Sequence, residues 1–296
     1  MYDSSLAEHA LVSGGSDGKI LSWTLKNRLA FPIRGGLTSR KAVISKRSFE
    51  SCPGITSLAT PNLSVGSSAR TQRVIVGLEG GGLMRASAGK IISGPSYSKE
   101  IFKNYTSSKE LYAPIRSEID RFEFEKHIGA VNSLEISPFN KNLILTAGQD
   151  GCIKLFHLLK QAPLREWEPS PEKSRSQQPI ISAISAARFS PIRPLVFAAA
   201  TTTGLVYLYD LGVSKSVPVS TLEILNSGSK NHQEERNTKL PSITGLAFNQ
   251  KQRDLLAACD TNGEIHIWRL GWNLSNKQFT ENTILDSIAE VDVTSE

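Results

Sequence analysis

The chain of 296 residues has only three cysteines and two methionines, and aromatic side chains make up 7% of it. No uninterrupted apolar run approaches the roughly 20 residues that a helix needs to cross a bilayer. Each scarcity excludes something. Cys52, Cys152 and Cys259 lie far apart, form no C-x-x-C pair and have no histidine at ligand spacing, so neither a disulfide framework nor a metal centre is legible. H-E-x-x-H and EF-hand patterns are likewise missing, and no cofactor is expected. The opening residues MYDSSLAEHALVSGG lack the basic and then apolar segments of a secretory signal, which places the chain, by expectation, in the cytosol with reduced thiols. Hydrophobic residues make up 39%, within the range of a folded globular chain.

What is present is a recurring glycine-anchored unit. Five segments share an apolar run, a tight turn and a second alternating run: Leu11 to Trp23, Val74 to Ala86, Leu143 to Phe156, Val196 to Asp210 and Leu255 to Trp268. Four of the turns read Asp17-Gly18, Asp150-Gly151, Thr203-Gly204 and Asn262-Gly263. Such pairs favour two-residue hairpins, because glycine tolerates positive φ. Short alternating runs at Ile55, Val131, Ile184 and Ile243 precede the later copies, joined to them by exposed tips such as Pro138-Phe-Asn-Lys-Asn142 and Pro191-Ile-Arg-Pro194. The unit is therefore strand, turn, strand, glycine turn, strand. A chain built from it is all-β, a solenoid or a propeller, and acts by presenting surface.

From Gly18 to Gly82, Gly151, Gly204 and Gly263 the steps are 64, 69, 53 and 59 residues. The unit resembles the blade of a WD40 β-propeller, which takes about 40–45 residues, so each step carries an insertion. The polar stretches 24–52, 87–126, 166–179 and 212–241 supply them, as loops or frayed outer strands. The sequence thus predicts propeller blades over 1–270 and a tail over 271–296. Leu11 leaves no room upstream for a partner strand, which predicts an incomplete ring of four to five blades, truncated at its N-terminus. In the tail, Ile284, Leu285 and Ile288 share one face of a short amphipathic helix capping the last blade; the alternative is a disordered acidic tail.

Polar residues in the repeats match a bracing network of WD40 blades: a histidine before the first strand, a hydroxyl in the next, a turn aspartate and a tryptophan. The third repeat offers His127, Thr146, Asp150 and Gly151, with Phe156 in place of the tryptophan. The first offers Ser13, Asp17, Gly18 and Trp23 without the histidine; Gly204 and Gly263 mark later turns, and Trp268 closes the last repeat. A hydrolytic set would use the same residue types, but a buried carboxylate that braces a blade is the simpler reading. Glu79-Gly80-Gly81-Gly82 lacks the Lys-Ser/Thr of a phosphate loop and reads as a hairpin tip. The net charge of +6 concentrates in Lys26, Arg28, Arg34, Arg40, Lys41, Lys46 and Arg47. No interleaved aromatics accompany them, so a solvated loop is preferred to a nucleic-acid surface.

The wording of Val131 to Phe156 and of Phe189 to Asp210, above all Ser190, Pro191, Arg193, Pro194 and Leu195 to Ala200, resembles the C-terminal repeats of dynein intermediate chains. It is most similar to the cytoplasmic dynein-2 branch, and Leu11 to Gly18 and Val74 to Gly81 also fit. The resemblance implies a non-catalytic propeller scaffold that docks on the dynein-2 heavy chain in retrograde intraflagellar transport and cilium assembly. It implies further dynein-2 partners, a second intermediate chain and light chains, the latter through an N-terminal region that nothing here matches. It also implies residence in cytoplasm, cytoskeleton and cilium, at axoneme and basal body, with neither membrane nor nucleic acid as a partner. The alternatives are an axonemal or dynein-1 intermediate chain, a general WD40 interaction scaffold and, lower, a nucleic-acid-binding propeller. An enzyme ranks last, for want of a convergent catalytic set.

Overall fold

The computed structural model describes residues 2–3, 8–24, 34–37, 40–44, 47–51, 53–60, 72–88, 124–169, 182–224 and 240–290. Two compact units divide the chain, Met1–Glu123 and Phe124–Glu296. In the first, β1 (Tyr2–Asp3), β2 (Glu8–Gly14), β3 (Lys19–Thr24) and β4 (Arg34–Leu37) form an antiparallel sheet in chain order. A hairpin of β5 (Arg40–Ile44) and β6 (Arg47–Ser51) follows, and then a sheet of β7 (Ile55–Ala59), β8 (Gln72–Leu78) and β9 (Leu83–Ala88).

The second unit stacks three sheets. They are β10 (Val131–Ile136), β11 (Leu143–Gly148), β12 (Ile153–His157) and β13 (Arg165–Trp167); β14 (Ile184–Phe189), β15 (Val196–Thr201), β16 (Leu205–Asp210) and β17 (Ser220–Glu223); and β18 (Ile243–Phe248), β19 (Leu255–Asp260) and β20 (Ile265–Arg269). Two helices close the described chain, α1 (Trp272–Ser275) and α2 (Glu281–Glu290). Neither is long and apolar enough to cross a membrane.

Each glycine-anchored signature is thus the second and third strand of one antiparallel sheet, in keeping with propeller blades. The turns differ from expectation in two respects, the first being that the left-handed glycine of the second repeat is Gly81 and not Gly82. Gly18, Gly81, Gly151, Gly204 and Gly263 all have positive φ, between 74° and 84°. In the Asp150 turn, however, the Gly151 amide donates to the Gly148 carbonyl and the Gly148 amide to the Cys152 carbonyl, so the loop is Gln149-Asp150-Gly151. The first and last signature turns close in the same way. This is the three-residue hairpin with a left-handed glycine at its end, not the two-residue loop that Asp-Gly suggests.

The opposite tips are also alike. Ser137 accepts from the amides of Phe139 and Asn140, Ser190 from those of Ile192 and Arg193, and Asn249 from those of Lys251 and Gln252. Side-chain oxygens at the first turn position replace the ladder where the strand ends.

The cores lie between sheets. Leu145, Leu155, Ala147 and Ile153 belong to the same cluster as Ala187, Phe197, Ala199, Tyr207 and Tyr209. A second cluster joins Ala198, Ala200, Val206 and Leu208 to Leu246, Leu256 and Ala258. In the first unit, Ile20 packs with Val74, Val76 and Leu78. Each fully buried aliphatic side chain contributes about 1.5–3 kcal/mol, so sheet stacking, more than strand propensity, holds the repeats.

Three sequence expectations change. A strand does precede the first signature: Tyr2 pairs with His9 and Asp3 with Glu8. The basic stretch between the first two repeats is not loop throughout, since Arg34 lies in β4, Arg40 and Lys41 in β5 and Arg47 in β6; Lys26, Arg28 and Lys46 lie outside the described residues. Finally, α2 does not cap the last sheet. Leu285 and Ala289 join the cluster between the first two sheets of their unit, with Phe139 and Ile288 packed against it, whereas Ile284 is 38% exposed.

Candidate functional site

The polar constellation of the third repeat is assembled. His127 lies just before β10 and is 3% exposed, while Thr146 in β11 is fully buried. His127 Nδ1 is 3.0 Å from Asp150 Oδ2, and Nε2 is 2.8 Å from Thr146 Oγ1. With a neutral ring, Nδ1–H donates to the carboxylate and Nε2 accepts from the hydroxyl. Asp150 also accepts the amides of Ile128 at 2.8 Å and Cys152 at 3.1 Å. Burial lowers the His127 pKa, against the opposing pull of Asp150. For Asp150, burial acts upward, but the Ile128 amide, the His127 charge and the Cys152 amide outweigh it and hold the carboxyl below its ordinary range. At the expected tryptophan position, Phe156 meets Phe124 edge-on at 5.5 Å.

Other repeats reach the same end differently. Asp17 accepts the Lys19 amide at 3.1 Å and pairs with the Lys19 ammonium at 2.7 Å, the position-for-position counterpart of Asp150 and Cys152. Ser13 is partly buried, and the side chain of Trp23 lies outside the described residues. In the last repeat the bonding carboxylate is Asp260, which sequence reasoning missed by looking at Asn262. Asp260 Oδ1 accepts the amides of Asn262 and Glu264, and Oδ2 lies 2.9 Å from His266 Nε2. That histidine bond, before anything else, lowers the Asp260 pKa. Trp268 stacks on His266 with centroids 6.1 Å apart. In the fourth repeat Thr201 does the work of Asp260, accepting the Leu205 amide at 3.1 Å. A polar residue at the end of the second strand was the available signal.

A further repeated feature escaped the sequence. Pairing is irregular between Ile55 and Ser57, Val131 and Ser133, Ile184 and Ala186, and Ile243 and Gly245. The displaced residue is Thr56, Asn132, Ser185 or Thr244. Hydroxyls of Thr56, Ser185 and Thr244 donate to the carbonyls of Gly77, Ala200 and Cys259, whereas the Asn132 amide reaches the Ile184 carbonyl of the next sheet at 2.8 Å. Ser133 Oγ in turn donates to Ala187 O at 3.1 Å, tying the same two sheets.

Gly14-Gly15-Ser16-Asp17-Gly18 spells G-x-S-x-G, a pattern the sequence reasoning overlooked. A nucleophile elbow needs a strand-to-helix turn. Here the run joins β2 to β3, and Ser16 is exposed on a hairpin tip. Glu79 to Gly82 is likewise the β8–β9 turn.

Among the described residues, two sets of side chains carry atoms close enough to share an ion: Cys152, Glu166 and Glu168, and Asp260, Glu264 and His266. In the first set, Glu166 pairs with Lys154 at 3.2 Å. In the second, His266 and two amides already engage Asp260.

Sheets in chain order, glycine turns at one end and a buried histidine–aspartate brace define a WD-repeat chain of β-propeller type. Residues 120–157, which contain that brace, match the family described as "WD domain, G-beta repeat". The relatives are dynein intermediate chains. Over 292 residues the chain is 30% identical to "Cytoplasmic dynein 2 intermediate chain 2" of Mus musculus, covering 96% of this chain and 47% of that protein. Its Homo sapiens counterpart is 34% identical over 183 residues, covering 62% of this chain and 29% of the human protein. "Cytoplasmic dynein 1 intermediate chain" of Drosophila melanogaster is 24% identical over 228 residues, or 75% of this chain and 27% of the fly protein. The chain spans about half the length of its mouse relative.

Proposed function

We propose that the chain is a non-catalytic intermediate-chain subunit of the dynein-2 motor, whose propeller sheets bind the heavy chain during retrograde intraflagellar transport and cilium assembly. The observation that carries this reading is the alignment with a dynein 2 intermediate chain along 96% of the sequence. The geometry is in keeping with it. His127, Thr146 and Asp150 of the WD-matched repeat are engaged with one another and with backbone amides, where they brace a hairpin. Stacked sheets hold their connecting tips in fixed positions, so little conformational entropy is lost when a partner docks. The proposed partners are the dynein-2 heavy chain, a second intermediate chain and, mainly through an N-terminal region that nothing here matches, light chains, at the cytoskeleton, basal body and axoneme.

The similarity to a dynein 1 intermediate chain favours one second reading, service in another dynein. Affinity purification of the tagged chain from ciliated cells, with quantification of each heavy chain, tests both. Enrichment of the dynein-2 heavy chain is expected; enrichment of another dynein heavy chain alone supports the second reading, and recovery of none overturns both.

A further inference from the structure

The glycine turns of the third and last repeats carry titratable clusters at the same place. Cys152 and Glu264 directly follow the left-handed glycines Gly151 and Gly263, and Lys154 and His266 come two residues later. The registers agree: Lys154 stands opposite Thr146 and His266 opposite Ala258, each the fourth residue of β11 or β19. In the third repeat this place holds a cation between carboxylates. The Lys154 ammonium lies 2.8 Å from Glu125 and 3.2 Å from Glu166, on a side chain only 6% exposed. In the last repeat an imidazole stands there instead, and the carboxylates beside it are Asp260 and Glu264.

Asp260, Glu264 and His266 each offer one donor atom, and the three atoms lie within 4.8 Å of one another. Residues two apart on an extended chain share a side, so Glu264 and His266 come from one strand end and Asp260 from its antiparallel neighbour. Asp260 is held ready. Its Oδ1 accepts the amides of Asn262 at 2.9 Å and Glu264 at 3.0 Å, which fixes the carboxylate and leaves Oδ2 turned to His266 Nε2 at 2.9 Å. Metal-ligating carboxylates are oriented by outer hydrogen bonds of this kind. The His266 ring is held in turn by stacking on Trp268.

The donor chemistry selects the ion. One imidazole and two carboxylates suit zinc sites with three protein ligands, where water completes the tetrahedron. Calcium and magnesium ask for more oxygen donors, and copper(I) for sulfur. The cluster of the third repeat is a poorer host, because Lys154 already engages Glu166. Burial, and then the neighbouring carboxylates, also keep the Cys152 thiol protonated.

We propose that Asp260 Oδ2, a Glu264 carboxylate oxygen and His266 Nε2 form a zinc site that clips the β19–β20 hairpin. On binding, a neutral His266 ring moves its proton from Nε2 to Nδ1, so that Nε2 ligates the metal. Asp260 Oδ2 exchanges the histidine for the ion, and the two amide bonds to Oδ1 persist. The site is independent of which motor, if any, the chain serves.

The test titrates Zn2+ into the full chain in competition with a chromogenic chelator, with thermal unfolding and Co2+ absorption as further readouts. One Zn2+ per chain is expected, with a raised unfolding temperature and a tetrahedral Co2+ spectrum free of thiolate charge transfer. Ca2+ and Mg2+ bind at least tenfold more weakly. Glu264→Gln leaves the Asp260–His266 bond and both amide bonds in place, yet weakens Zn2+ at least tenfold and removes its effect on unfolding. His266→Gln abolishes saturable binding, and Cys152→Ser leaves it unaltered. Absence of saturable binding in the unaltered chain overturns the proposal. So does equal affinity in Glu264→Gln, which marks an adventitious ion only. Loss of binding in Cys152→Ser, or a thiolate band with Co2+, assigns the ion to a cysteine and overturns it as well.

Discussion

Arg193 and Glu281, 88 residues apart, are each 1% exposed and bonded to each other, with Arg193 Nε donating to Glu281 Oε1 at 2.7 Å. Arg193 sits in the tip between β14 and β15, and Glu281 opens α2. The same guanidinium pairs with Asp210 at 2.9 Å and donates to the Asn273 carbonyl. One buried cation therefore holds the end of β16, α1 and α2 to a single strand tip. Asn140 to Asp286 at 3.2 Å and Lys277 over the Phe139 ring at 5.6 Å add exposed contacts along the same path.

Arg193→Ala is expected to destabilise the unit Phe124–Glu296 by about 3–5 kcal/mol, because it leaves two carboxylates buried without their cation. Glu281→Gln costs less, since Asp210 still pairs with Arg193. Denaturant midpoints check the order, and amide exchange over 281–290 should rise in both variants. Unchanged exchange there would sink the clasp.

Stability should fall as the solution becomes acidic, beginning near the ordinary histidine value of 6.5. The folded His127 pKa is lowered by burial, so the unfolded chain binds the proton first. Stability is complete above about 6.5 and is lost as pH falls below it. Asp150, also lowered, adds a second loss below the ordinary carboxylate range. His157 is lowered by burial and Lys160 and contributes with the same sign. The slope between pH 7.5 and 5.5 should therefore be reduced, not abolished, in His127→Gln; urea midpoints at three pH values measure it.

Gly263→Ala and Gly204→Ala should separate backbone strain from crowding. Both glycines have φ above 80°, which costs an alanine roughly 1–2 kcal/mol. A Cβ at Gly263 meets open space, whereas at Gly204 it lies 2.6 Å from Leu240 Cβ and 3.0 Å from the Pro241 carbonyl. The Gly204 variant is expected to be clearly less stable of the two, and equal losses would contradict the packing described.

Alkylation should discriminate the cysteines. Burial, then the charges of Asp150, Glu168 and Glu166, push the Cys152 thiol up to about 12. Cys259 is exposed on β19. Treatment with iodoacetamide at pH 8 followed by mass spectrometry should modify Cys259 and spare Cys152. Early modification of Cys152 would show that its sheet opens.

Much of this was legible because strand period and turn chemistry are local. Apolar runs broken by glycine located the second and third strand of every repeat, and His127, Thr146 and Asp150 could be grouped by their likeness to the bracing pattern of WD40 blades. Asp260 could not, because Asn262 offered a nearer match to the turn pattern, and only the fold brings His266 of the next strand onto the aspartate. The three-residue loops were hidden for a related reason: Asp-Gly suits two hairpin lengths, and strand register chooses between them.

By itself the sequence determined the repeat, its all-β character, the positive-φ glycines and the likeness to dynein intermediate chains. Those depend on side-chain alternation and backbone permissiveness, properties of neighbouring residues. Only the tertiary structure decided where α2 lies and why Arg193 stands among apolar residues. These follow from which surfaces meet across tens of residues, and a buried charge acquires meaning only once its surroundings are placed.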